Sequence, residues 1–224
     1  MHVKNLAAHF ISSICVSWFR LRYGNHVTFG KNIIINRKFQ YRGPGKLVIG
    51  DGCNLWAHEE PNRFFTYDRH AKITIGKRTR LNGTTIQSKN AVTIGNECAI
   101  GSAMLIDTDF HSIDPDHRND PAYVKSAPIH IGNNVWLAGQ CAILKGVTVH
   151  DAAVVGFRSV VTHDVAARTV VAGNPAREVK TLESLGYNVF VNTSCSFKIS
   201  IVGCGNVGAT AAYALLLEDF VSDL

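Results

Sequence analysis

The chain has 224 residues, of which 46% are hydrophobic and 18% charged, and a formal net charge of +6. That balance describes a globular chain with a sizeable core and excludes a fibrous or disordered one. The positive charge suits an anionic ligand such as a nucleotide or a cofactor phosphate, but no Lys/Arg run with interleaved aromatics is present, which argues against nucleic acid as a partner.

Residues 1–24 place Val3, Leu6, Phe10, Ile14, Trp18 and Leu21 at three-to-four spacing. That is one face of an amphipathic helix. Its apolar stretch, Leu6 to Phe19, is broken by His9 and several serines. It is too short and polar to span a bilayer, and no small-residue cleavage site follows it. The face is expected to pack on the main domain. The alternative is weak contact with a membrane surface, helped by Arg20 and Arg22.

From Ile49 onward a six-residue repeat emerges: IGDGCN at 49, IGKRTR at 75, IGNECA at 94, then IGNNVW, LAGQCA, ILKGVT, VHDAAV, VGFRSV and VTHDVA without a break from 131. Each hexad opens on Ile, Leu or Val, and a small or turn-forming residue often follows. A helix would not repeat every six positions, and the β-branched load is high. Three hexads make a three-sided coil of roughly 18 residues, and coils stack into a solenoid. Ile131 to Val149 is 18 residues, Ile75 to Ile94 is 19, and Ile94 to Ile131 is 37, about two coils. The opener points inward, and so does the fifth residue, which must be small or apolar. Cys53, Cys98 and Cys141 stand at position five and are read as core residues. The six cysteines form no C-x-x-C pair, and their scatter is that of reduced thiols in a cytoplasmic protein. The stretch HEEPNRFFTYDRH, 58–70, leaves the pattern and reads as an acceptor-side loop or a less regular coil.

The main interruption is IDTDFHSIDPDHRNDPAYVKSAP, 106–128, expected to leave the coil as a loop over 107–128. Loops on rigid scaffolds carry function. This one holds His111 and His117, suited to general-base work near neutral pH, with Asp107, Asp109 and Asp114 near enough to orient an imidazole. No Ser or Cys stands in a nucleophile elbow.

Three segments in order, DTDFHSIDPDHR, then PIHIGNNVWLAGQCAILKGVTVHDAAVVGFRSVVTHDV, then VVAGNPAREVK, resemble the galactoside, maltose and exopolysaccharide O-acetyltransferases of the hexapeptide-repeat family. The resemblance covers about residues 25–180. It implies an all-β fold, a left-handed parallel β-helix preceded by the N-terminal helix. It implies a homotrimer with acetyl-CoA in the groove between neighbours, and direct acetyl transfer to a saccharide hydroxyl with His111 as general base. Asn82 would line the acceptor pocket, although it reads equally as a turn or ladder residue inside the coil. Asp109 and Arg118 join it on the acceptor side. Trp136, Gly139, Phe157, Ser159 and Thr162 would lie along the cofactor, with Arg177 and Lys180 near its nucleotide end. The Ala138–Gly139 turn would supply a backbone donor to the oxyanion. Two departures stand out: His163 replaces a customary Lys, and Phe157 and Arg158 replace small residues.

After a linker over 181–197, KISIVGCGNVGATAAYALLL (198–217) resembles the first strand and helix of the lactate/malate dehydrogenase family. One βα unit cannot bury both faces of its strand, so 198–224 is expected to be a truncated Rossmann-like appendage, a short α/β-like element that binds no NAD. Two rival readings remain. A γ-type carbonic anhydrase-like enzyme would need three His on zinc, and no defensible ligand set is found among His111, His117, His130 and His150, so no metal is expected. A non-catalytic solenoid scaffold would have no need of the DTDFH loop.

Overall fold

The aliphatic residues that recur every six positions are the ones the fold buries. Leu137, Ile143, Val149, Val155 and Val161 are each at most 1% exposed in a computed structural model that describes residues 2–182. The dehydrogenase-like stretch at 198–224 lies outside the described residues. Position-five residues are buried with the openers, among them Cys53, Thr79, Cys98, Val135, Cys141, Val147, Ala153 and Ser159.

Consecutive short strands go to three different sheets. The first sheet stacks Val27–Phe29, Lys46–Ile49, Lys72–Ile75, Ala91–Ile94, Ile129–Ile131 and Thr148–Val149. The second runs from Ile34–Ile35 through Asn54–Leu55, Arg80–Leu81, Ala99–Ile100, Trp136–Leu137 and Val154–Val155. It ends in the hairpin Thr169–Gly173 and Ala176–Thr181, the only antiparallel strand pair among the described residues. The third holds Phe39–Arg42, Asn62–Thr66, Thr85–Ser88, Met104–Ile106, Ala142–Leu144 and Val160–Val161. The parallel register stacks like on like, so that Phe29, Ile49, Ile75, Ile94, Ile131 and Val149 form one interior ladder. Parallel strands buried by their own neighbours and pairing at every third place fit a β-helix with one N-terminal helix.

Ile94 pairs directly with Ile131. The 37-residue step from one to the other therefore makes one turn of the coil and an excursion, not the two coils expected from counting. The count failed because residues between Ile106 and Ile129 add no strand. The segment 58–70 is coil after all: Asn62–Thr66 pairs on both sides, with Phe39–Arg42 and Thr85–Ser88.

The corners explain the second and fourth hexad positions. Asn134, Gln140, Gly146, Ala152 and Arg158, six apart, all have positive φ, between 53° and 79°. Each non-glycine among them costs about 1 kcal/mol of backbone strain, which the pairing on both sides of the corner outweighs. Position two is glycine where coils touch: a Cβ on Gly76 would stand 2.4 Å from the Gly95 carbonyl oxygen, and one on Gly95 2.4 Å from that of Gly132. Asn and Asp side chains bridge successive corners. Asn133 Oδ1 accepts from Asn96 N and Asp151 Oδ1 accepts from Asn133 N. This last bond holds the Asp151 carboxyl below its usual pKa range.

The N-terminal helix, His2–Tyr23, covers the open end of the coil. It packs through Ser12, Cys15 and Phe19, not through the face expected from spacing: Phe10, Ile14, Trp18 and Leu21 are exposed. Two apolar stripes share this helix, and a buried serine decides between them. Ser12 Oγ accepts from the Ile35 N–H (2.9 Å), and its one proton is shared between the Ala8 carbonyl (2.6 Å) and the Ile35 carbonyl (3.1 Å), so the hydroxyl serves an edge strand that has no preceding coil. Phe19 meets Phe29 and Phe39 in an aromatic cluster beneath it. Ser12→Ala is expected to cost about 1–2 kcal/mol by leaving the Ile35 N–H without its acceptor, to be read from the urea midpoint.

Candidate active site

The loop leaves the coil after Met104–Ile106 and returns at Ile129–Ile131, so it projects from the edge between the third and first sheets. Its base is zipped. Ala127 N donates to the Asp107 carbonyl (3.0 Å), Asp109 N donates to that of Lys125 (3.0 Å), and Thr108 bridges Ser126. Asp107 is fully buried and anchors the base to the coil below, accepting from Ser88 Oγ (2.6 Å), Lys89 N (2.7 Å) and Asn90 N (2.9 Å). Asp109 is tied to the coil above by Lys145 Nζ at 2.6 Å.

Between these anchors the chain makes a tight three-residue turn. His111 N donates to the Asp109 carbonyl at 2.7 Å across Phe110, whose φ is +62°. A left-handed aromatic residue is a genuine outlier, costing about 1–2 kcal/mol, and such strain collects at functional sites. The Phe110 ring meets Tyr67 edge-on, with centroids 5.0 Å apart. Tyr67 in turn donates to Gln87 Oε1 at 2.7 Å. A hollow of about 420 Å³ lined by Arg42, Gly43, Phe65, Thr66 and Tyr67 opens at this edge. The turn presents His111 exposed, and its ring has no hydrogen-bond partner among the described residues.

The carboxylates expected to orient His111 are committed elsewhere. Asp107 holds the coil and Asp109 holds Lys145, while Asp114 Oδ2 meets His117 Nδ1 at 2.8 Å. His117 also stacks on Tyr123, centroids 3.9 Å apart, so it braces the tip of the loop. Arg118 is exposed on that tip, its carbonyl accepting from Ser112 N.

The other residues singled out by sequence fall on a different edge. Asn82 follows Arg80–Leu81, Gly139 follows Trp136–Leu137, and Phe157 follows Val154–Val155, so all three line the corner between the second and third sheets. A Cβ on Gly139 would lie 3.4 Å from both Phe157 Cε2 and Ser102 Oγ. Asn82 Oδ1 accepts from His58 N at 3.0 Å, so its carbonyl end acts as a ladder residue. At the small-residue turn, Ala138 N–H donates to the Val155 carbonyl, whereas Gly139 N–H has no acceptor among the described residues. Arg158, on its left-handed corner, points outward over the Phe157 ring (5.2 Å) and donates to Gln140 Oε1, which accounts for its departure from a small residue.

Trp136 pairs with Ala99 and Val154 in the second sheet, in the same outward column as Lys180, which pairs with Val170. Ser159 does not join them: it is fully buried, and its hydroxyl accepts from Gly173 N, so it belongs to the interior of the coil. Thr162 lies on the edge that carries the loop, bonded to His163 Nδ1 at 2.8 Å. Arg177 lines a separate hollow with Val161, His163 and Thr169 near the C-terminal hairpin. His111, Asp109, Arg118 and Thr162 thus lie on one edge and Asn82, Gly139 and Phe157 on another, parted by the third sheet, about 13–17 Å for four or five residues.

Sequence reasoning missed Lys145, Tyr67 and the left-handed Phe110. Lys145 had a signal, a long cation at the third hexad position, where Gly139 stands one hexad earlier. Cys141 confirms the core reading of position five: burial pushes its thiol from the usual 9.0 up to about 12. In native protein at pH 8 the Cys141 peptide should resist iodoacetamide, read by mass spectrometry after digestion. Between about pH 9 and 12 only the unfolded thiol ionises, so the stability contributed by this group is present below 9 and drains through that window. Among the described residues of one chain no group of three or more His, Cys, Asp or Glu could hold a metal.

No protein-family model matches the chain. It is 34% identical over 132 residues to galactoside O-acetyltransferase of Escherichia coli strain K12, a match spanning 58% of this chain and 63% of that one. Its resemblance is to the hexapeptide-repeat acetyltransferases. The chain spans 37% of the length of several Staphylococcus aureus relatives named as putative acetyltransferases and 63% of the galactoside O-acetyltransferase. Among solved structures, the polySia-specific acetyltransferase NeuO aligns over 86% of this chain and 94% of its own, with a TM-score of 0.56 and 23% identity. Galactoside acetyltransferase in complex with coenzyme A aligns over 76% and 72%, with a TM-score of 0.50 and 24% identity. No helix among the described residues is long and apolar enough to cross a membrane.

Proposed function

We propose that the chain transfers acetyl from acetyl-CoA to a sugar hydroxyl of a surface polysaccharide or its precursor, as a trimer of left-handed parallel β-helices in the cytoplasm. The observation that carries this reading is the division of the site. Among the described residues His111 stands exposed and unpaired on a strained turn at one edge, while the Gly139 N–H, without an acceptor, lines another together with Phe157 and Asn82. A neighbouring copy that sets its loop edge against this second edge joins the two halves. The support from relatives is that one is named for O-acetylation of galactosides, and that a galactoside acetyltransferase of this fold takes coenzyme A.

In the reaction the acceptor oxygen attacks the thioester carbonyl carbon while His111 takes its proton. The oxyanion draws on the Gly139 N–H. Its collapse breaks the carbon–sulfur bond, and the thiolate leaves with the proton held by the imidazole. Phe157 over Gly139 offers an apolar wall to the pantetheine arm, in place of the small residue customary there. Trp136 and Lys180, in one outward column, would continue that wall toward the nucleotide, and Arg177 would serve its phosphates. Thr162, on the loop edge, would meet the cofactor held by a neighbour. Asp109 and Arg118 act on the acceptor side, Asp109 by holding the turn through Lys145.

The test is thiol release from acetyl-CoA by the full chain against a panel of nucleotide sugars and oligosaccharides, with product mass read in parallel. Acceptor-dependent release with a gain of one acetyl supports the reading. Absence of release with every acceptor, from protein shown to be folded, overturns it.

A further inference from the structure

The N-terminal helix carries a second apolar face that no other described element covers. Phe10, Ile14, Trp18 and Leu21 are 70%, 56%, 52% and 86% exposed, on one side of a helix already seated through Ser12, Cys15 and Phe19. Four large apolar side chains left in water along one face need a covering. Charge says what kind. Residues 1–50 contain eight Lys and Arg and no Asp or Glu, whereas residues 51–224 contain fifteen against seventeen. The positive excess of the whole chain therefore sits in its first quarter, around this helix.

The two features meet at one place. Ile14, Trp18, Phe19 and Phe39 line a hollow of about 510 Å³ whose remaining wall includes Arg22 and Arg37. The Arg22 guanidinium lies 5.2 Å from the centre of the Trp18 ring. An apolar stripe rimmed by guanidinium groups, with an aromatic ring at the boundary, is the chemistry of a helix lying in a lipid interface. A second copy docking through the same face would bring two strongly positive regions together, which disfavours it. The helix is too polar to cross a bilayer, so contact is along the surface.

We infer that the exposed face of the N-terminal helix docks on an anionic lipid bilayer, with Phe10, Ile14, Trp18 and Leu21 entering the interface and Arg22 and Arg37 meeting lipid phosphates. The inference does not depend on the acetyltransferase reading. The experiment is co-sedimentation of the full chain with vesicles of phosphatidylcholine alone or mixed with phosphatidylglycerol. The partition onto the mixed vesicles should be about tenfold higher or more than onto the neutral ones, and should fall as salt is raised. Phe10→Ser with Leu21→Ser should lower that partition about tenfold or more, with an unchanged circular dichroism spectrum, since both positions are exposed. Equal partition onto the two vesicles, no binding to either, or a double variant that binds as the parent chain does would overturn the inference. So would a double variant that changes the vesicle-free oligomeric mass, which would give the face to a second copy.

Discussion

His111→Ala is expected to lower acetyl transfer roughly 100-fold or more, with the KM for acetyl-CoA nearly unchanged. The imidazole is exposed and makes no hydrogen bond among the described residues, so its removal leaves no buried group without a partner. The anchors that shape the turn, Asp107 on Ser88 and Asp109 on Lys145, are untouched by the substitution. A loss of rate therefore reports on proton transfer and not on folding. Steady-state rates with the preferred acceptor measure it, and a variant within about threefold of the parent would remove His111 from the role of base.

Asp107→Ala should be the most costly substitution in the loop for stability. The carboxylate is fully buried and accepts three hydrogen bonds, from the Ser88 hydroxyl and from two main-chain amides. Alanine leaves the buried Ser88 hydroxyl without its acceptor and takes the acceptor from two partly buried main-chain amides, a loss of about 3–5 kcal/mol. At this chain length about 2–4 °C of Tm accompanies each kcal/mol, so a fall of about 10 °C is expected in a thermal melt. Asp107→Asn keeps one oxygen but turns an amide toward the remaining donors, and should fall between the two. A Tm within about 2 °C of the parent for the alanine variant would mean that the loop base is held by other contacts.

The coil was legible because its rule is local and repeated. An inward aliphatic every six residues is a spacing that one sequence displays, and Leu137, Ile143, Val149 and Val155 obey it without exception. The loop was legible as a break in that rule. Its interior was not, because side-chain partners depend on which coil lies above and below. Asp107, Asp109 and Asp114 are close in sequence to His111, yet each found another partner, on Ser88, Lys145 and His117. The N-terminal helix misled for a similar reason. Spacing reveals an apolar face but cannot tell the seated one from the free one when a buried hydroxyl, Ser12, chooses the seat. The same limit hid the division of the site: a residue list places Asn82, His111 and Gly139 in order, and only the pairing of strands puts them on different edges.

That division is the central claim, and mixing two inactive chains tests it most directly. His111→Ala keeps the Gly139 edge, and Gly139→Trp keeps the loop while filling its own groove. If neighbouring copies share the site, assemblies formed from equal amounts of the two variants should recover about a quarter of the parent rate per chain, because one interface in four pairs an intact loop with an intact groove. If one chain holds the whole site, the mixture stays as inactive as its components, and the account fails.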